Sequence, residues 1–134
     1  MAELEDLVVS GEEMDKKLVA EILSPFVRLD KDKNTVRPIE GWDKLDEEEK
    51  ILVYLLSKKA MVALQFGLPA ESAGASEVIQ NTGVKKGTTH PALRKLLGER
   101  LLEQTSDRKY FVPNYAITRI KSMLGHAKNK GGQK

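Results

Sequence analysis

Nine side chains able to grip a polyanion fall in one short stretch of the chain. They are Lys85, Lys86, Thr88, Thr89, His90, Arg94 and Lys95, then Arg108 and Lys109. Lysine and arginine reach phosphate oxygens or guanine edges, and threonine hydroxyls hydrogen-bond to phosphate oxygens. The charge of the whole chain points the same way. Residues 1–67 hold 15 acidic and 10 basic side chains, a net of −5, whereas residues 68–134 hold 5 and 12, a net of +7. An asymmetry of that kind directs a basic face at a polyanion.

Other candidate chemistry fails on spacing. Asp30, Asp32 and Asn34 start like a calcium-binding EF-hand loop. The sixth position holds Thr35 in place of the glycine of the sharp turn, and the twelfth holds Gly41 in place of the bidentate glutamate. Gly83 to Thr88 lacks the spacing of a phosphate loop. His90 and His126 stand on different elements with no carboxylate at pairing distance in sequence. The run Asp46 to Glu49 suits the positive end of a helix better than an acid/base pair. No nucleophile sits in a motif, so neither an enzyme nor a metal or cofactor site is expected.

The chain has 134 residues and no cysteine, which suits one domain and excludes disulfides and thiolate metal sites. Its acidic start lacks the layout of a signal peptide, and the longest apolar run, Ile51 to Leu56, is too short to cross a bilayer. A soluble cytoplasmic protein without a membrane partner is expected.

The elements that must position the cations follow from periodicity and punctuation. Ser10 and Glu13 have capping-box spacing ahead of Met14, Leu18 and Ile22, which predicts a helix over Gly11 to Leu23 stopped by Pro25. Phe26 to Leu29 and Thr35 to Ile39 read as a hairpin around a polar tip. Asp46 and Glu49 cap a long helix from Glu47 to about Phe66, ending at Gly67. Ile51, Leu52, Leu55, Leu56, Val62, Ala63 and Phe66 share its broad face, and Lys59 must snorkel from within it. Val53, Ala60 and Leu64 form a second strip, which needs cover from the N-terminal helix or from a second copy of the chain. Ser76 is expected to cap a short helix to Thr82, followed by a turn at Gly83-Val84 and a second helix ending at Leu97-Gly98. Leu93, Leu96 and Leu97 have the spacing of that second helix's buried side. Pro91 would interrupt this helix, so a late start is expected, with Thr88 or Thr89 as N-cap and Lys85-Lys86 on a basic loop. A hairpin, Leu101 to Thr105 and Lys109 to Val112, comes next. A last helix starts at Asn114, and Gly125 to Lys134 reads as a disordered basic tail.

Helix, turn, helix and hairpin in that order, with basic residues on the second helix and at the hairpin tip, resembles a winged helix-turn-helix domain. The resemblance covers about residues 46–124, with residues 1–45 as an N-terminal extension. It implies a mainly α fold with a small β-hairpin wing, and a second helix lying in the major groove of duplex DNA. Members of the family mostly bind DNA, commonly as dimers, so a transcriptional regulator forming a homodimer is expected. Some members bind RNA or dock proteins, and the sequence leaves both open.

Overall fold

The computed structural model describes residues 15–132, with side chains through Gly125. The fold is mainly helical with two small antiparallel hairpins. Its hub is helix α2 (Glu47–Ala63), which follows helix α1 (Lys16–Leu23), strands β1 (Val27–Asp30) and β2 (Thr35–Pro38), and a 3-10 turn over Glu40–Lys44. Asp46 Oδ1 accepts from Glu49 N at 2.8 Å and Glu49 Oε1 accepts from Asp46 N at 2.8 Å, a complete capping box. Glu47, Glu48 and Glu49 place negative charge in the first turn, where the helix dipole favours it.

Every residue from Ile51 to Met61 is buried, so α2 needs cover all round. Helices α3 (Ala75–Thr82) and α4 (Lys86–Gly98) pack on it, as do α1, β2 and the last helix, α5 (Ile117–Gly132). Val53 and Ala60, from the second strip, are covered within one chain, and Leu64 remains 48% exposed. Burial of α2 therefore needs no second copy. Phe26, Val27, Trp42 and Leu45 join the same core cluster as Leu93, Leu96 and Ile120. The N-terminal segment is part of one core with the rest.

Several boundaries differ from expectation. Helix α1 is capped by Asp15, whose carboxylate accepts from Leu18 N at 3.0 Å, while the Ser10 and Glu13 pair lies outside the described residues. Helix α2 stops at Ala63 rather than near Phe66. Gln65 N donates to Val62 O and Phe66 N to Met61 O, and Gln65 takes φ 62°, which closes the helix in a Schellman turn. Gly74, not Ser76, is the N-cap of α3, without a side-chain cap. Residues 125–132 of the expected disordered tail are helical instead, since α5 continues to Gly132, and the last two residues lie outside the described ones. Once Ile117, Ile120 and Leu124 dock in the core, each further residue extends a helix already nucleated.

The first hairpin pairs Val27 with Pro38 and Leu29 with Val36. It is closed by Gly41, where an added Cβ would stand 2.1 Å from the Pro25 carbonyl oxygen. The second hairpin, strands β3 (Glu103–Gln104) and β4 (Tyr110–Phe111), is shorter than the expected strands. It gains a third rung from the segment before α3, because Ala73 and Tyr110 exchange two backbone hydrogen bonds at 2.9 and 2.8 Å. Leu102 and Val112 bury their side chains beneath it. No helix among the described residues is long and apolar enough to cross a membrane.

Candidate nucleic-acid interface

The turn between α3 and α4 is braced by two threonines. Gly83 takes φ 76°, which suits glycine because it has no Cβ to clash. Thr82 Oγ1 donates to Val78 O at 2.7 Å and accepts from Val84 N at 3.2 Å. From the other side Thr89 Oγ1 donates to Lys85 O at 2.9 Å and Val84 O at 3.3 Å. Thr89 is fully buried, so it does not belong to the expected contact surface. Its hydroxyl holds the turn closed.

Helix α4 starts early, at Lys86 with Lys85 as N-cap, and neither Thr88 nor Thr89 caps it. Pro91 sits inside the helix, on its exposed side. Losing one amide and crowding the Gly87 carbonyl costs about 3 kcal/mol in a helix interior. Burying Leu93 and Leu96 completely returns roughly 1.5–3 kcal/mol each, which is enough to keep the helix continuous through the proline. The loss also falls where water can reach the freed carbonyl. Leu97, the third of the expected inward leucines, is only half-buried.

The cations sort into two groups. Lys86, His90 and Arg94 are exposed and four residues apart, so they stack along one stripe of α4 about 12 Å long. Gly87, Pro91 and Gly98 lie on the same exposed side and carry no long side chain that would hold a ligand away. Lys85, Lys86, Arg94 and Arg108 make no ion pair with a carboxylate among the described residues. Lys95, by contrast, points to the other edge of α4. Its Nζ lies 3.0 Å from Glu48 Oε2, and that hydrogen bond raises the lysine's pKa. Thr88 is half-buried at the edge of the stripe.

At the wing tip Lys109 Nζ lies 3.9 Å from Asp107 Oδ2, and Thr105 Oγ1 donates to Asp107 Oδ1. The threonine hydrogen bond holds the Asp107 carboxyl below its ordinary pKa. Arg108 faces solvent with φ 63°. Asp30, first of the calcium-like residues, is occupied at its own hairpin tip. It accepts from Lys33 N at 3.1 Å and stands 3.8 Å from Arg37. No group of three or more potential metal ligands clusters among the described residues.

A second polar cluster was not foreseen. Lys58 Nζ donates to Glu77 Oε2 at 2.6 Å and to Ser72 O at 3.0 Å, and Tyr54 OH donates to the same Glu77 oxygen at 2.8 Å. Lys59 does not snorkel to water but pairs with Glu71 at 2.9 Å. Burial, with the Glu77 carboxylate alongside, pushes the Tyr54 hydroxyl well above its ordinary pKa. These bonds strap α2 to the α2–α3 loop and to α3. They hold α3 against α2, and in the sequence only Lys59, set within the apolar face of its helix, hinted at them. No family model matches the chain, and comparison with curated proteins and with solved structures returns no match.

Proposed function

We propose that this chain binds duplex DNA as a small transcriptional regulator, with α4 laid in the major groove and the second hairpin acting as a wing. The observation that carries this reading is the stripe Lys86, His90 and Arg94, exposed on α4 with both cations free of carboxylate partners among the described residues. Lys85, Lys86, Arg94 and Arg108 contact phosphates, while His90 and Arg94 reach base edges. The placement of charge on the helices supports it. The first turn of α2 carries three glutamates, as the dipole favours, but that of α4 carries Lys86 beside the N-cap Lys85 and no acid. Two cations at a helix N-terminus are mutually repulsive and set against the dipole, and a bound phosphate relieves both terms.

Titration of a labelled duplex at several salt concentrations tests the reading. With about four phosphate contacts, log K should fall against log salt with a slope of roughly −3.6. A flat salt response, or no binding at low salt, would defeat it. Competition by structured RNA that matches or exceeds the duplex would move the activity to RNA.

A further inference from the structure

We propose that the base of the second hairpin, where Arg100, Tyr115 and Arg119 come together, binds single-stranded nucleic acid, with a base stacked on Tyr115 and flanking phosphates on the two guanidinium groups. The site shares no residue with the α4 stripe and stands independently of the duplex reading.

Tyr115 is 58% exposed, and only Leu64 among the other large apolar side chains described is comparably open. Its ring is not loose. The hydroxyl donates to Glu103 Oε2 at 2.7 Å, which anchors one end of a side chain that stays more than half exposed. A ring ordered in advance loses little freedom when a base settles on it. Arg119 Nη1 donates to Glu99 O at 2.7 Å, which holds this guanidinium at the end of α4. Both Arg100 and Arg119 stand close enough to oppose the rise in the Tyr115 pKa that Glu103 causes. Neither arginine pairs with a carboxylate among the described residues, although Glu103 is at hand and takes the tyrosine hydroxyl instead.

The backbone at Arg100 fixes where its side chain leaves the chain. Arg100 N donates to Leu97 O and Leu101 N to Leu96 O, each at 3.0 Å, the two bonds of a Schellman turn. The residue in its left-handed position is ordinarily glycine, yet here it is an arginine at φ 61°. Gln65 holds the same left-handed place at the end of α2, so this position sets where the Arg100 side chain starts and does not by itself mark a function.

The chemistry favours a base over a purely anionic partner. Glu99 and Glu103 offset the two arginines, so net charge alone draws little to this surface. An exposed aromatic ring with guanidiniums beside it can stack any base and steady its neighbouring phosphates.

Fluorescence anisotropy with labelled oligothymidylate of about twelve nucleotides, on the full chain, tests the site. Tyr115→Ala should weaken binding about tenfold or more, and Tyr115→Phe, which keeps the ring, by no more than about twofold. Arg100→Gly should weaken oligonucleotide binding while leaving the melting temperature equal or higher, which separates lost contact from lost fold. Two phosphate contacts on a single strand predict a salt slope of only about −1.4. The K86A/R94A double variant should bind the oligonucleotide like the parent. Failure to bind at low salt, unchanged affinity in Tyr115→Ala, or a loss confined to the K86A/R94A variant would each overturn the proposal.

Discussion

Arg94 and Lys95 are neighbours in sequence but opposites in role: Lys95 Nζ lies 3.0 Å from Glu48 Oε2, whereas Arg94 meets no carboxylate among the described residues. The pair sits at the boundary between the side of α4 that docks on the start of α2 and the side turned outward. That boundary gives the sharpest mutational contrast in the molecule. Arg94→Ala and Lys86→Ala should each reduce the salt slope of duplex binding by about 1, the signature of one lost phosphate contact. Lys95→Ala should leave both slope and affinity near the parent values. Equal effects from Arg94→Ala and Lys95→Ala in duplex titrations would mean that the whole basic surface acts diffusely.

Thr89 should matter for stability and not for contact. Thr89→Val keeps the shape and deletes the buried donor to Lys85 O and Val84 O. Urea denaturation should show a loss of about 1–2 kcal/mol. At temperatures where the variant is folded, its duplex salt slope should match the parent. A changed slope would return Thr89 to the interface.

Tyr54 predicts a particular alkaline weakness. Its folded-state pKa is raised by burial and by the Glu77 carboxylate. A group raised in the folded state stabilises it fully below the unfolded value, about 10 for tyrosine, and that stability is lost as pH rises beyond it. Tyr54→Phe loses the bond to Glu77, about 1 kcal/mol near neutrality. The variant also has no phenol to titrate, so its stability gap to the parent should close above about pH 10, by up to about 1.4 kcal/mol per pH unit. Parallel stability curves for parent and variant up to pH 11 would refute the assignment.

Gly41 is required by close approach. A Cβ there would stand 2.1 Å from the Pro25 oxygen and 3.1 Å from Phe26 Cδ1, so the backbone must shift around a fully packed Phe26. Gly41→Ala should cost about 2 kcal/mol or more, a fall of roughly 8 °C in melting temperature. A neutral result in calorimetry would show that the first hairpin can move off the core at little cost.

Local sequence was sufficient where the physics is local. The Asp46 and Glu49 capping box, the Gly83 turn, the first hairpin and the inward turn of Leu93 and Leu96 formed as their patterns imply, and the second hairpin formed at the expected place with shorter strands. Helical spacing puts His90 and Arg94 on one side, but Lys86 was expected on a loop ahead of a late-starting helix and joins them only because α4 begins at Lys86.

What tertiary packing decided are the places where a local preference was outweighed or a distant partner chosen. Pro91 argues for a late helix start, and only the burial of Leu93 and Leu96 against α2 keeps α4 helical from Lys86 onward. Thr89 and Lys95 have side chains as polar as their neighbours. Thr89 is withdrawn by the turn it braces, and Lys95, though exposed, is engaged by a glutamate 47 positions away. The second apolar strip asked for cover by the N-terminal segment or by a second copy, and the choice of the N-terminal segment, with Trp42 and Phe26 in the core, rests on shape complementarity across the whole core. Sequence determined which elements exist and that His90 and Arg94 share a helix face, since both follow from short-range periodicity. Packing determined which of those cations remain free, because a charge is released or engaged by partners that only the folded chain brings near.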